Sequence, residues 1–291
     1  MGRRLGQHFL TDPTILDRIV AAIDPQPNDM VIEVGPGRGS LTRRLALRVG
    51  QVIAIERDAG LVARLNGAGN GERGADAHAT RVMPDNVRVL TADALKLDWH
   101  AELKSLAGPS APRSPLPAPR SESPVPSFKV VGNIPYHITS PLIDKALSPP
   151  LPRVIVFLVQ REVAERLCAP AGTKSYGALT VGVRSVANVE RLMAVRAGSF
   201  TPPPQVESAL VRIKPRAEPL VPHEDIPGFR SFTVAVFSQR RKQLRRILRS
   251  IRPSEVTRIE IELRQLGIDP TTRPERLAPE EMYHVYRVLG R

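Results

Sequence analysis

Residues 30–42 read MVIEVGPGRGSLT. A run rich in β-branched side chains enters Gly35, Gly37 and Gly39, and a helical pattern follows. Glycine admits positive φ and has no Cβ, so a ligand can approach the backbone closely at such a turn. A helix starting there offers N–H groups that have no intrahelical partner. The loop is not a P-loop, because no Gly-Lys-Ser/Thr follows. It is not a dinucleotide fingerprint either, since that spacing needs glycine where Ser40 stands. Taken alone, a glycine-rich turn is weak grounds for a nucleotide-like ligand.

Outward from this turn, apolar β-branched runs alternate with helical patterns. Strands are expected at 30–34, 51–56, 87–90, 129–132, 154–159 and 209–213, with helices at 13–23, 41–48, 141–147 and 162–167. That alternation predicts an α/β fold with a parallel sheet and helices on both faces. Two segments break the pattern. Residues 66–74 hold four Gly in nine, and 108–127 hold seven Pro and five Ser in twenty. Neither buries enough apolar surface to offset its ordering entropy, so both read as flexible surface insertions. Beyond Pro215 no β-run occurs, and helices are expected at 228–251, 253–266 and 279–289. The expected organisation is an α/β domain over 1–216 and a small helical domain over 217–291.

A chain of 291 residues with 42% apolar side chains can bury a sizeable core. The single cysteine, Cys168, excludes a disulfide framework and a cysteine-based metal cluster, and no metal site is expected. That fits a reducing cytoplasm. The N-terminus lacks the apolar stretch of a secretory signal, and Gly6 argues against myristoylation. No segment approaches the roughly 18 apolar residues that span a bilayer. Lys and Arg number 42 against 29 acids, a net charge of +13. This favours a polyanionic partner, nucleic acid above all, with general solubility as the plain alternative.

Two carboxylates join the turn. Glu56 closes the second expected strand and Asp93 follows the third. Ligands of open α/β sheets bind outside the carboxyl ends of strands. Either acid alone is compatible with a solvated strand end. Together with the glycines, the spacing Glu33-x-Gly35-x-Gly37-x-Gly39 resembles motif I of the class I methyltransferases. The resemblance implies a Rossmann-like, mostly parallel seven-stranded sheet that binds S-adenosylmethionine. The loop would hold the cofactor's amino-acid end with Glu33 nearby, Glu56 its ribose hydroxyls and Asp93 its adenine amine.

The fourth expected strand ends in Asn133-Ile134-Pro135-Tyr136. A turn is the plain reading, since Asn and Pro are common turn residues. The tetrapeptide also resembles motif IV of the amino methyltransferases. An adenine amine is a poor nucleophile, because its lone pair is delocalised into the ring. Two acceptors aimed at its N–H bonds can turn that lone pair towards a methyl group. The Asn133 side-chain oxygen suits one acceptor, and the resemblance gives the Ile134 carbonyl as the other. It also places Asn133 among the cofactor contacts. Pro135 fixes φ and biases Ile134 away from the helical region. Tyr136 offers a face for a flipped or unpaired base.

Further elements narrow the family. Gly6-Gln7-His8-Phe9-Leu10 followed by Asp12, VFLVQREVAERL at 156–167, Tyr176-Gly177-Ala178-Leu179 and FTPPPQVESALVRI at 200–213 resemble the KsgA-type rRNA adenine N6-dimethyltransferases. The resemblance implies cofactor contacts from His8 and Leu10. It implies dimethylation of two adjacent adenosines near the 3′ end of small-subunit rRNA, by a cytoplasmic monomer active in ribosome biogenesis. Phe200 is then either a second wall for the target adenine, opposite Tyr136, or an ordinary core residue. The chain departs from the family at His137, where Asn is usual, and at Gln243 and Arg246, where Thr and Asn are typical.

Residues 238–252 carry seven basic side chains and no acid. On the expected helix Phe237, Leu244, Leu248 and Ile251 face inward, leaving Arg240, Arg241, Lys242, Arg245, Arg246 and Arg249 as a stripe for RNA phosphates. A membrane-surface helix would want more aromatic anchors, and a solvated charged face is the plain alternative. Other functions weighed are an Erm-type enzyme acting on large-subunit rRNA, a noncatalytic ribosome-assembly factor, and a NAD-dependent dehydrogenase. The last lacks the glycine spacing and leaves Asn133–Tyr136 unexplained.

Overall fold

A computed structural model describes residues 8–67, 82–107, 127–135 and 138–290. The expected insertions fall almost wholly outside these residues, as do Gly6, Gln7, Tyr136 and His137. The chain runs β1 (Phe9–Leu10), α1 (Pro13–Ala22), β2 (Met30–Val34), α2 (Ser40–Ala46), β3 (Gln51–Glu56), α3 (Ala59–Leu65), β4 (Val87–Thr91), α4 (Trp99–Ala107), β5 (Phe128–Asn133), α5 (Thr139–Ala146) and β6 (Ile155–Gln160). It continues with α6 (Arg161–Cys168), α7 (Ala178–Arg184), β7 (Ala187–Val195), β8 (Phe200–Thr201), β9 (Ser208–Pro215), α8 (Ile226–Ser238), α9 (Leu244–Ile251), α10 (Val256–Gln265) and α11 (Pro279–Leu289).

A seven-stranded sheet has the order β4-β3-β2-β5-β6-β9-β7. β2 runs parallel to β3 and β5, β3 to β4 and β5 to β6, while β9 is antiparallel to β6. The expected α/β class holds, with the antiparallel pair confined to one side. Every residue of β2 is buried, as a parallel strand covered on both faces requires. The order reverses beside β2: the chain moves out to β3 and β4, then returns to β5 on the other side. A crevice forms at the carboxyl ends of strands where the order reverses. Val34 pairs with Gly132 there, so Gly35 and Asn133 leave the sheet side by side.

Two compact units form: Met1–Arg161 with Arg191–Ile213, and Glu162–Glu190 with Lys214–Arg291. The segment 162–190, expected within the α/β domain, thus clusters with the C-terminal helices. Its anchors are visible: the Tyr176 hydroxyl donates to the Leu277 carbonyl at 2.6 Å, and Gly172 N–H to that of Glu275 at 2.6 Å. No described helix is long and apolar enough to cross a membrane.

The structure corrects the sequence reading in three places. Ala187–Val195 is a strand that the pattern did not reveal, because Asn188, Glu190, Arg191 and Ala194 face solvent and dilute its apolar signal. β1 and β8 pair antiparallel, with Phe9 opposite Thr201 and Leu10 opposite Phe200. Two-residue strands are too short to show a period. The helix expected over 228–251 is two helices, α8 and α9, separated at 239–243. There the Lys242 N–H donates to the Gln239 carbonyl at 2.8 Å. The first turn of α9 is satisfied from elsewhere, with Leu244 N–H on the Thr272 carbonyl and Arg245 N–H on that of Pro270, both at 2.8 Å. These tertiary bonds replace the intrahelical ones that a continuous helix would have made.

Candidate active site

The crevice is an open cleft beside the glycine loop. Of the expected residues it gathers Leu10, Glu33, Gly35, Gly37 and Asn133, and it adds Phe9, Leu16, Pro36, Arg38, Ser40 and Leu41. The three loop glycines all have positive φ, at +73°, +56° and +79°. Gly37 shows why glycine is needed. A Cβ there would lie 2.9 Å from the Phe9 ring, which packs directly on the loop. The Arg38 guanidinium covers the same ring, 4.7 Å from its centroid, a cation–π contact. Phe9 and Arg38 were not singled out from the sequence. Phe9 sits inside the quoted N-terminal motif, which was the available signal. Gly39 caps α2 rather than lining the cleft; a Cβ there would collide with Met83.

Glu33 is only 1% exposed. Its carboxyl is pushed up from 4.5 to about 8, first by burial. The nearby Thr42 hydroxyl offsets part of that push, and repulsion from Glu56 adds to it. The Thr42 contact falls short of hydrogen-bond geometry: Thr42 Oγ1 and Glu33 Oε2 both lack a partner among the described residues. A buried, unpartnered carboxyl oxygen beside a cleft costs free energy unless a ligand donor completes it.

Glu56 is buried and well satisfied. Its Oε2 accepts the Gly37 N–H at 3.2 Å, while Oε1 accepts those of Arg57 at 2.8 Å and Asp58 at 3.0 Å. It therefore ties the glycine loop to the end of β3. Neither Glu56 nor Asp93 is among the cleft-lining residues, and Asp93 Oδ1 accepts the Leu95 N–H at 3.0 Å.

Asn133 ends β5. Its Nδ2 donates to the main-chain carbonyl of His8 at 2.9 Å. A carbonyl accepts only, so this bond fixes which way the amide faces: Nδ2 is engaged and Oδ1 is left as an acceptor. Among the described residues the Ile134 carbonyl also takes no hydrogen bond, whereas that of Pro135 accepts from Ile138 N–H at 3.1 Å and Thr139 Oγ1 at 3.5 Å. The Ile134 side chain is buried. The His8 ring does not line the cleft; its Nδ1 lies 2.8 Å from the Pro202 carbonyl. Phe200 is 3% exposed and packs with Leu10, Leu16, Val131 and Leu158 in the core. Of the two roles expected of Phe200, this placement suits packing. Tyr136 lies outside the described residues.

In the second unit Arg240, Arg241 and Lys242 sit in the turn before α9, not on a helix, while Arg245, Arg246 and Arg249 project from α9. Leu244, Ile247 and Leu248 are buried beneath them. Arg241, Lys242, Arg246 and Arg249 are exposed. Arg240 is half-buried and donates to the Lys174 carbonyl at 3.0 Å, and Arg245 to Gln243 Oε1 at 3.0 Å.

The sheet order, the glycine crevice and the acceptor pair beyond β5 define a Rossmann-like, class I methyltransferase. Residues 2–290 match the ribosomal RNA adenine dimethylase family. The chain is 38% identical over 295 residues to the ribosomal RNA small subunit methyltransferase A of Synechococcus elongatus, covering 99% of this chain and 95% of the relative. It is 36% identical over 280 residues to the protein of the same name from Idiomarina loihiensis, covering 96% and 84%. The chain belongs to the ribosomal RNA adenine dimethylase family. Among solved structures, a dimethyladenosine transferase from Plasmodium falciparum superposes with a TM-score of 0.74 at 24% identity over 97% and 98% of the two chains, a likeness of fold. The 23S rRNA methyltransferase ErmE superposes with a TM-score of 0.63 at 27% identity over 97% and 100%.

Proposed function

We propose that this enzyme transfers methyl groups from S-adenosylmethionine to N6 of two adjacent adenosines near the 3′ end of small-subunit rRNA, as a step in ribosome biogenesis. The observation that carries this reading is the Asn133 amide, held by the His8 carbonyl so that Oδ1 stays an acceptor beside the equally uncommitted Ile134 carbonyl. Two acceptors at one strand end suit the two N–H bonds of an exocyclic amine.

The chain's own groups fit the cofactor. Glu33 Oε2 is a buried acceptor awaiting a donor, which suits an ammonium group. The glycine loop offers backbone without Cβ atoms, and Leu10, Leu16 and Leu41 give apolar walls. When bound, the cofactor supplies an electrophilic methyl group on a sulfonium. Asn133 Oδ1 and the Ile134 carbonyl hold the amine so that its lone pair faces that methyl group. Catalysis is mainly positioning. The methylated nitrogen, adjacent to an electron-poor ring, releases its proton to water without a protein base. Tyr136 keeps its stacking role from the family resemblance.

Arg241, Lys242, Arg246 and Arg249 form an exposed basic surface that suits phosphate contacts, which position RNA without reading sequence. The enzyme is read as a cytoplasmic monomer with no membrane partner.

One experiment tests the reading: incubation with tritiated S-adenosylmethionine and immature small subunits, with mass spectrometry of the product nucleoside. The expected product is N6,N6-dimethyladenosine in small-subunit rRNA. Asn133→Ala is expected to lower turnover by about 100-fold, as for loss of one transition-state hydrogen bond, with cofactor affinity retained. Label confined to large-subunit rRNA selects the Erm-type reading instead, and undiminished turnover of Asn133→Ala removes the amine-positioning role.

A further inference from the structure

His8 makes two bonds whose consequences meet at the reacting amine. Its main-chain carbonyl accepts Asn133 Nδ2 at 2.9 Å. Its ring Nδ1 lies 2.8 Å from the Pro202 carbonyl. A carbonyl has no proton to give, so Nδ1 carries the hydrogen and donates. The ring thus ties residue 8 to the loop after β8, while its backbone faces the catalytic asparagine.

The neighbouring residues keep this carbonyl in place. Phe9 and Leu10 pair with Thr201 and Phe200. Thr11 N–H donates to the Ser199 carbonyl at 2.9 Å, and Asp12 caps α1 through the N–H groups of Thr14 and Ile15. Residue 8 lies one position before the strand pair, and its ring bond to the Pro202 carbonyl extends the clasp to it.

The orientation of the Asn133 amide matters because its two ends are nearly the same shape and opposite in hydrogen-bond character. Flipped, the amide would bring Oδ1 against the His8 carbonyl and point Nδ2 at the acceptor amine, a donor facing a donor. The amine would then lose one of the two acceptors that aim its lone pair.

We propose that His8 is a positioning residue for methyl transfer: its ring, anchored on the Pro202 carbonyl, holds the main-chain carbonyl that keeps Asn133 Oδ1 turned to the acceptor amine. This rests on the reading of Asn133 given above. It is separate from any cofactor contact of His8, because it acts through Asn133.

A double-mutant cycle on single-turnover methylation tests it, with cofactor affinity measured by calorimetry and folding checked by thermal melting. His8→Ala is expected to lower the rate by about 2–10-fold, the worth of one neutral hydrogen bond. His8→Asn keeps an N–H donor at the δ position and is expected to restore most of the rate, whereas His8→Gln moves the donor one bond outward and is not. In an Asn133→Ala background, His8→Ala is expected to cause no further loss. An equal loss in both backgrounds overturns the proposal, as does an effect of His8→Ala confined to cofactor affinity. If Asn133→Ala itself leaves the rate unchanged, the reading of Asn133 fails first, and that outcome is distinct from either of these.

Discussion

Asp29 immediately precedes β2 and Glu33 lies next to its carboxyl end, and both are buried. At the amino end, Asp29 Oδ2 meets Lys129 Nζ at 2.7 Å and the Gln26 N–H at 2.7 Å. Lys129 also donates to the Asp24 carbonyl. At the carboxyl end, Glu33 has one oxygen with no partner among the described residues and a second carboxylate, Glu56, nearby. The first arrangement is closed and leaves nothing for a ligand. The second is incomplete in the direction of the cleft. In an open α/β sheet this is the expected division of labour: the amino end secures the fold, and the carboxyl end carries chemistry.

The comparison is broken most severely at the closed end. Lys129→Met leaves Asp29 buried without its counter-charge and is expected to destabilise the protein by about 3–5 kcal/mol. Denaturant titration measures this, and a loss below 1 kcal/mol would show that Asp29 is not held by the pair.

The open end is expected to respond to pH. A carboxyl whose folded pKa is raised binds its proton more tightly when folded, so its contribution to stability is complete below about 4.5 and is lost as pH rises towards about 8. Between pH 4.5 and 7 the loss is on the order of 3 kcal/mol. Glu33→Gln removes this titration. Its melting temperature, relative to that of the parent, is expected to rise steadily across the same window while cofactor affinity falls. Parallel melting curves at every pH would mean that Glu33 does not titrate there.

The smallest effect is expected from Thr42→Val, which deletes a buried hydroxyl without a partner at nearly constant volume. Stability is expected to change by less than about 1 kcal/mol. The pH-dependent loss due to Glu33 should move upward, because the hydroxyl opposes the rise. A shift to lower pH would contradict that role.

Much of this organisation was legible in the sequence, for physical reasons that differ by element. β2, β3, β5 and β6 are buried on both faces, so they read as continuous apolar runs. Gly35, Gly37 and Gly39 announced backbone conformations closed to other residues, and Asn133 announced an amide where a strand ends. The edge strand β7 was hidden by its solvent-facing residues. The break between α8 and α9 was hidden because it depends on carbonyls of Pro270 and Thr272, far from the apolar period that suggested one helix. At the site, residue types were readable but pairings were not. Nothing in the sequence shows that Phe9 lies on Gly37, that Phe200 turns to the core, or that His8 and Asn133 share a hydrogen bond across 125 positions.

The pairing of Leu10 with Phe200 also bears on how the enzyme comes into being. A chain is made from its N-terminus, so the segment that roofs the glycine loop emerges first and its partner strand emerges 190 residues later. Contacts so distant in sequence form late, after the loop entropy between them has been overcome. Residue 8 gains its anchor on Pro202 only at that stage. A nascent chain that ends between residues 133 and 202 therefore carries the glycine loop and Asn133 without the contact between His8 and the Pro202 carbonyl.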